Sequence, residues 1–242
     1  MASNAWFGSI FGGVDGMNVI VANLPYMLRG LELTFLLAVL SLIGSFVFGT
    51  VLAALRLAPW PWLRWIAGLY VDTMRMIPLI MVMFWIFFLI PIITGYPVAP
   101  LIAATWALIA FNASYMAEII RAGIQAVPGG IPEAARASGL NYRQCMLHIV
   151  LPLAFKSMLP AIVNRFITIF MATSLAYTIG VTEFFRAASE VNFRVFKPFE
   201  LYAFVAVVYF VFCYGLSLFG RFLGARLSRG DWSVAGERVM SD

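Results

Sequence analysis

Residues 33–55 read LTFLLAVLSLIGSFVFGTVLAAL, with no charged side chain in the run. A helix needs about 20 apolar residues to cross the ~30 Å hydrocarbon core of a bilayer. This segment meets that length and carries no ionised group to resist leaving water. The composition extends the reading. Of 242 residues, 63% are hydrophobic and 11% charged, with a mean hydropathy of +0.94. Ordinary soluble domains carry about 25% charged residues. A water-soluble chain of this size cannot bury so much apolar surface, so lipid is the expected solvent.

Working outward, residues 76–117 are also uncharged, too long a run for one helix, and are punctuated by Pro91, Gly95, Pro97 and Pro100. They predict span two at about 66–92 and span three at about 98–120. Span four is expected at about 153–178, interrupted by Arg165, and span five at 201–220. The fold class is therefore an all-α membrane protein with five transmembrane helices. Residues 1–23 are expected to form a periplasmic or interfacial N-terminal segment, 24–227 the transmembrane domain, and 228–242 a cytoplasmic tail. MASNAWFGSIFGGVDGMN lacks the basic start and compact apolar core of a signal peptide, so span one is expected to be retained.

The net charge of +5 does not point to nucleic acid. In membrane proteins, excess Lys and Arg collects in cytoplasmic loops and sets orientation. With the N-terminus outside, the inner face holds Arg56, Arg64, Arg121, Arg136, Arg143, Lys156, Arg221, Arg226, Arg229 and Arg238. The outer face holds Arg29, Arg186, Arg194 and Lys197, while Arg75 and Arg165 stay at membrane depth. This bias predicts a periplasmic N-terminus and a cytoplasmic C-terminus. Cys145 and Cys213 form no CxxC or Cys/His cluster, so neither a disulfide framework nor a metal site is expected.

Between spans three and four lies VPGGIPEAARASGLNYRQCMLHIVLP, residues 127–152, on the inner face by this count. Gly129 and Gly130 allow a turn. Pro132 and Glu133 suit the first turn of a helix, where a missing N–H costs little and a carboxylate meets the positive end of the dipole. Gly139 suits a left-handed cap, and Asn141 with Gln144 has capping-box spacing. The expectation is helix, sharp turn, second helix, with Pro152 marking entry to span four. An amphipathic loop lying on lipid is the alternative, but Ala134, Ala135 and Gly139 leave a small-residue face suited to docking against another backbone. Few aliphatic residues are available to hold such a loop in lipid.

Glu133-Ala134-Ala135, then Gly139, Ile149, Leu151 and Pro152, match without a gap the signature loop of ABC importer permeases, which the chain resembles. The resemblance runs from about Leu24 to Leu227. It is carried by GLELTFLLAVLSLIGSFVFGTVLAALRL in span one and by YVDTMRMIPLIMVMFWIFFLIP, with Arg75, Pro78 and Leu79. ASYMAEIIRAGIQAVPGG and TSLAYTIGVTEFFRAAS (173–189) carry it further. The pattern is that of the polar amino-acid permeases of the histidine, glutamine and glutamate type. The IPLIMVMFWIFFLIP and EFFRAAS runs are most similar to the glutamate/aspartate permeases.

The resemblance implies a type I importer permease fold with a cytoplasmic coupling helix that docks in a cleft of the ATPase. It implies transport of a polar amino acid, glutamate or aspartate first, with glutamine, arginine or histidine as alternatives. It implies no catalysis by this chain. ATP and Mg belong to a partner ATPase dimer, consistent with the absence of a GxxxxGK[ST] loop here. A second related permease, forming a heterodimer, and a periplasmic amino-acid-binding protein are the other implied partners, in a bacterial inner membrane. One departure stands out. Many relatives read Lys-Asp-Thr-Ser-Leu where this chain has Met171-Ala172-Thr173-Ser174-Leu175, so a carboxylate available to a substrate amino group elsewhere is missing at Ala172. A secondary transporter would show repeats around a midplane site, and a membrane enzyme would show a clustered nucleophile, base or metal set. Neither pattern is evident.

Charges at membrane depth face cavities or partners. Asp72 and Arg75 have i,i+3 spacing and are expected to pair, either bracing the spans or leaving Arg75 to attract an anion. Arg165 has the same two readings. Glu118 and Arg121 are expected to pair and brace the loop that follows. Asn112, Ser114, Thr173 and Ser174 are the polar groups available to a path. Ser and Thr also commonly bond their own helix carbonyls. His148 stands alone, without a metal-binding partner.

Overall fold

The computed structural model describes residues 13–228. Its elements are helices: α1 (Gly13–Arg56), α2 (Pro61–Met76), α3 (Leu79–Phe84), α4 (Ile90–Thr94), α5 (Pro100–Gln125), α6 (Gly130–Ala137), α7 (Tyr142–Cys145), α8 (Leu151–Ala172), α9 (Phe184–Val195) and α10 (Pro198–Ser228). Four continuous helical stretches are long and apolar enough to span a membrane, and a fifth span is reached if the bent α2 and α3–α4 pair counts as one. The five-helix membrane fold read from composition is thus present, with its second span broken.

That break is the first departure from expectation. Residues 66–92 do not form one straight helix, because α2 and the α3–α4 segment meet at 107°. Ile77 and Pro78 are extended, at ψ 137° and 136°. The proline ring disfavours helical backbone in the residue before it and removes an N–H donor, so the helix stops at Met76. The second departure is at span four. Pro152 does not begin a helix, since the helical run starts at Tyr142 and continues to Ile179. A π-helical turn over Met146–Val150 carries the chain past Pro152, and a similar turn over Trp85–Leu89 carries it past Pro91. Widening the ladder accommodates a proline that cannot donate to the residue four back. Third, the loop between spans four and five contains α9, a twelve-residue helix that the span count left as loop. The boundary placed after residue 23 falls inside α1, and the tail from residue 229 onward lies outside the described residues.

The centre of the bundle is α1 laid along α5. Small residues let the backbones approach. A Cβ on Gly49 would stand 2.7 Å from Met116 Cβ and 3.0 Å from the Ala113 carbonyl oxygen. In lipid such close packing replaces the hydrophobic drive that water supplies to soluble cores. Leu52, Ala53, Ala113, Met116, Ala117 and Met158 bury together there. On the other side, α9 is held by Glu183. Its carboxylate is fully buried and accepts the Phe185 and Arg186 backbone N–H groups at 2.9 and 2.7 Å. The Tyr209 hydroxyl donates to it at 3.4 Å. Burial pushes Glu183 up to about 7.

Candidate functional site

The loop between α5 and α8 is built as its sequence requires. Gly139 has φ +88°. Its N–H bonds the Arg136 carbonyl at 3.0 Å, and the Leu140 N–H bonds the Ala135 carbonyl at 3.2 Å, which closes α6. Asn141 and Gln144 form a reciprocal capping box, both bonds 2.9 Å, which opens α7. Glu133 lies in the first turn of α6.

The seven signature positions divide by direction, with Leu151 half-buried between the two sets. Glu133, Ala134, Gly139 and Pro152 are exposed. Ala135 turns inward and packs with Cys145 and Val150, and Ile149 supports them. Ile124 near the C-terminal end of α5 and Val127 just beyond it complete this small core. The arrangement offers a small-residue outer face, while its inner face is fastened to a span. A push on α6 therefore reaches α5 through packed side chains.

Just above lies a lattice of charges. Glu118 accepts from Arg56 at the end of α1 and from Arg121 Nη2 at 2.8 Å. Arg121 Nη1 also donates to Gln125 at 2.6 Å. The expected Glu118–Arg121 pair is present, and Arg56 is an addition that sequence spacing gave no means of finding. The expected Asp72–Arg75 pair is not formed. Asp72 lies 3.9 Å from Arg56, while Arg75 lies over the Tyr115 ring at 5.3 Å. The i,i+3 spacing permits contact, but α1 and α5 supply competing partners from other helices.

Deeper in the bundle, Arg165 Nη2 donates to Asn112 Oδ1 at 2.5 Å, and its guanidinium carbon stands 3.7 Å from the Tyr115 ring centroid. Its Nε is buried without a partner. Buried donors are ordinarily satisfied, so this one is an exception in the packing of the bundle. A cavity of about 290 Å³ opens beside it, lined by Arg75, Tyr115, Glu118, Asn164, Arg165 and Thr168. Arg75 and Arg165 thus meet at one aromatic ring. Tyr115 was absent from the sequence candidates, since an aromatic among 22 phenylalanines and nine tyrosines carries no signal by itself.

The remaining path candidates lie elsewhere. Ser114 bonds the Phe111 carbonyl at 2.6 Å, Thr173 the Phe170 carbonyl at 2.7 Å and Ser174 the Met171 carbonyl at 2.8 Å. Ser114 and Thr173 are fully buried. Asn112 is buried too, but reaches the cavity through Arg165. His148 Nδ1 lies 3.1 Å from the Gln144 carbonyl, and no cluster of potential metal ligands occurs among the described residues.

Comparison with known proteins shows the family of the chain. Residues 45–229 match the family model described as the binding-protein-dependent transport system inner membrane component. A glutamate/aspartate import permease of Escherichia coli O6:H1 is 37% identical over 214 residues, covering 86% of this chain and 96% of that one. A probable glutamine ABC transporter permease of Bacillus subtilis is 34% identical, covering 88% and 98%. Among solved structures, an amino acid ABC transporter with histidines aligns with a TM-score of 0.80 at 29% identity, covering 86% of this chain and 96% of that one.

Proposed function

The chain belongs to the binding-protein-dependent transport system inner membrane component family and is an amino-acid ABC importer permease; from that premise we propose that its cargo is an acidic amino acid, glutamate or aspartate. The observation that carries this reading is the pair of cations, Arg75 and Arg165, gathered on Tyr115 at one cavity in the spans. A dicarboxylic amino acid has net negative charge, and guanidinium groups bind carboxylates through charge-assisted hydrogen bonds. Glu118, the carboxylate that lines this cavity, is held by Arg56 and Arg121, which offset its repulsion of an anion. The similarity to a glutamate/aspartate permease supports the same cargo. Glutamine is the second reading, favoured by the similarity to a glutamine permease.

The mechanism follows from the loop. The N-terminus lies on the periplasmic side and the C-terminus in the cytoplasm, as the distribution of Lys and Arg supports. A periplasmic binding protein delivers the amino acid to the outer mouth. A partner ATPase dimer binds ATP with Mg and closes on α6 through Glu133, Ala134 and Gly139. The inner core around Ala135 moves α5 and α8, and the cavity exchanges its opening. A second, related permease closes the open side of the polar cavity, because Arg75 and Asp72 cannot face acyl chains without cost. A heterodimer suits a subunit that lacks the carboxylate at position 172.

The test is ATP hydrolysis by the reconstituted complex with its binding protein across a panel of amino acids. Glutamate and aspartate are expected to stimulate. Stimulation by arginine or histidine alone would overturn the cargo assignment.

A further inference from the structure

The uncharged stretch of α10, residues 201–220, ends at Arg221. A run of that length fills the hydrocarbon core, so Arg221 stands at headgroup level. There a groove of about 370 Å³ opens between α8 and α10. Its floor forms where the two antiparallel helices approach. A Cβ on Gly220 would stand 2.9 Å from Val163 Cγ1, and one on Gly224 3.6 Å from Pro160 Cγ. Asn164, Ser217 and Arg221 supply its polar groups.

Arg221 is exposed and has no acidic partner among the described residues. Near it in the chain, Leu218, Phe219 and Phe222 are 46%, 54% and 51% exposed, an apolar surface.

We propose that this groove holds an anionic phospholipid of the inner leaflet, with its phosphate on Arg221 and an acyl chain lying along Val163 and Gly220. The inner-leaflet placement rests on the orientation given under Proposed function. The depth of the cation, the apolar lining of the groove and the absence of a counter-ion among the described residues all match one amphiphile: negative at the headgroup, apolar below it. A basic residue at the membrane surface contributes roughly fivefold in preference for an anionic lipid.

The experiment uses the whole transporter, with its ATPase and partner permease, equilibrated in mild detergent with phosphatidylglycerol or phosphatidylcholine. Retained lipid is then read by native mass spectrometry. The wild type should prefer phosphatidylglycerol about fivefold. Arg221→Gln should erase the preference and Arg221→Lys should keep it. Gly224→Leu, which fills the groove, should lower retention of both lipids. Equal retention of the two lipids by the wild type, or an unchanged preference in Arg221→Gln, would overturn the proposal. So would a cross-link from residue 221 to another subunit in native membranes. The leaflet is tested separately with Arg226→Cys in a background where Cys145 and Cys213 are Ser. Labelling by an impermeant maleimide only after vesicles are opened supports the inner leaflet, whereas labelling of intact right-side-out vesicles overturns that placement.

Discussion

Gly139 holds the end of α6 at φ +88°, a conformation that L side chains rarely adopt. A Cβ built there meets nothing within 4 Å, so within this chain the cost of a substitution is backbone strain alone. That strain is about 1–2 kcal/mol for an ordinary residue. The helix it caps has eight residues and buries only Ala135, so little holds it in place. Helices this short are marginal on their own. A loss of 1–2 kcal/mol shifts the folded population roughly 5–30-fold. Gly139→Ala should therefore weaken ATPase association and coupled uptake within that range. Gly139→Val should be worse, and Gly139→Asn mildest, because asparagine visits this region readily. The assay is ATPase affinity for the purified permease pair, together with uptake per ATP in proteoliposomes with the binding protein. Asparagine is larger than alanine, so the ranking separates strain from lack of room. If Gly139→Asn is more damaging than Gly139→Ala, space in the docking cleft governs the site. If Gly139→Ala equals wild type, the capping argument is refuted.

Three further outcomes are expected. Arg165→Gln should reduce acidic amino-acid uptake about 10–100-fold, the size of a lost charge-assisted hydrogen bond, while ATPase association stays normal; unchanged uptake in an assembled complex would remove Arg165 from the path. Glu118→Gln should lower stability by about 1–3 kcal/mol, because Arg56 and Arg121 lose their shared anion, and the double variant Arg56→Gln/Glu118→Gln should be less destabilised than the sum of the single variants; additive losses in thermal unfolding would show that the two do not interact. Glu183 is raised by burial from 4.5 to about 7, so the folded state holds its proton more tightly. Its stabilising contribution is full below about pH 4.5 and is lost as pH rises through about 7. The melting temperature should fall across that window in wild type and fall less in Glu183→Gln; equal slopes would count against it.

Much of this protein is written in local sequence. Uncharged runs predict spans because an ionised group in hydrocarbon is expensive, and that cost is paid residue by residue. Gly139 and the Asn141–Gln144 pair predict the coupling loop because caps are satisfied within three residues. Other features depend on which helices meet. Asp72 and Arg75 have pairing geometry on their own helix, yet Arg56 and Tyr115 draw them apart, since partners from α1 and α5 are invisible to spacing. Tyr115 gains its role only by standing between two arginines that are 90 residues apart in the chain. The inward turn of Ala135 and the π-helical passage over Pro152 are also decided by packing. Local chemistry determined the elements and their caps. The polar cavity is set by side chains brought together from α2, α5 and α8, because electrostatics in a low-dielectric interior acts through space.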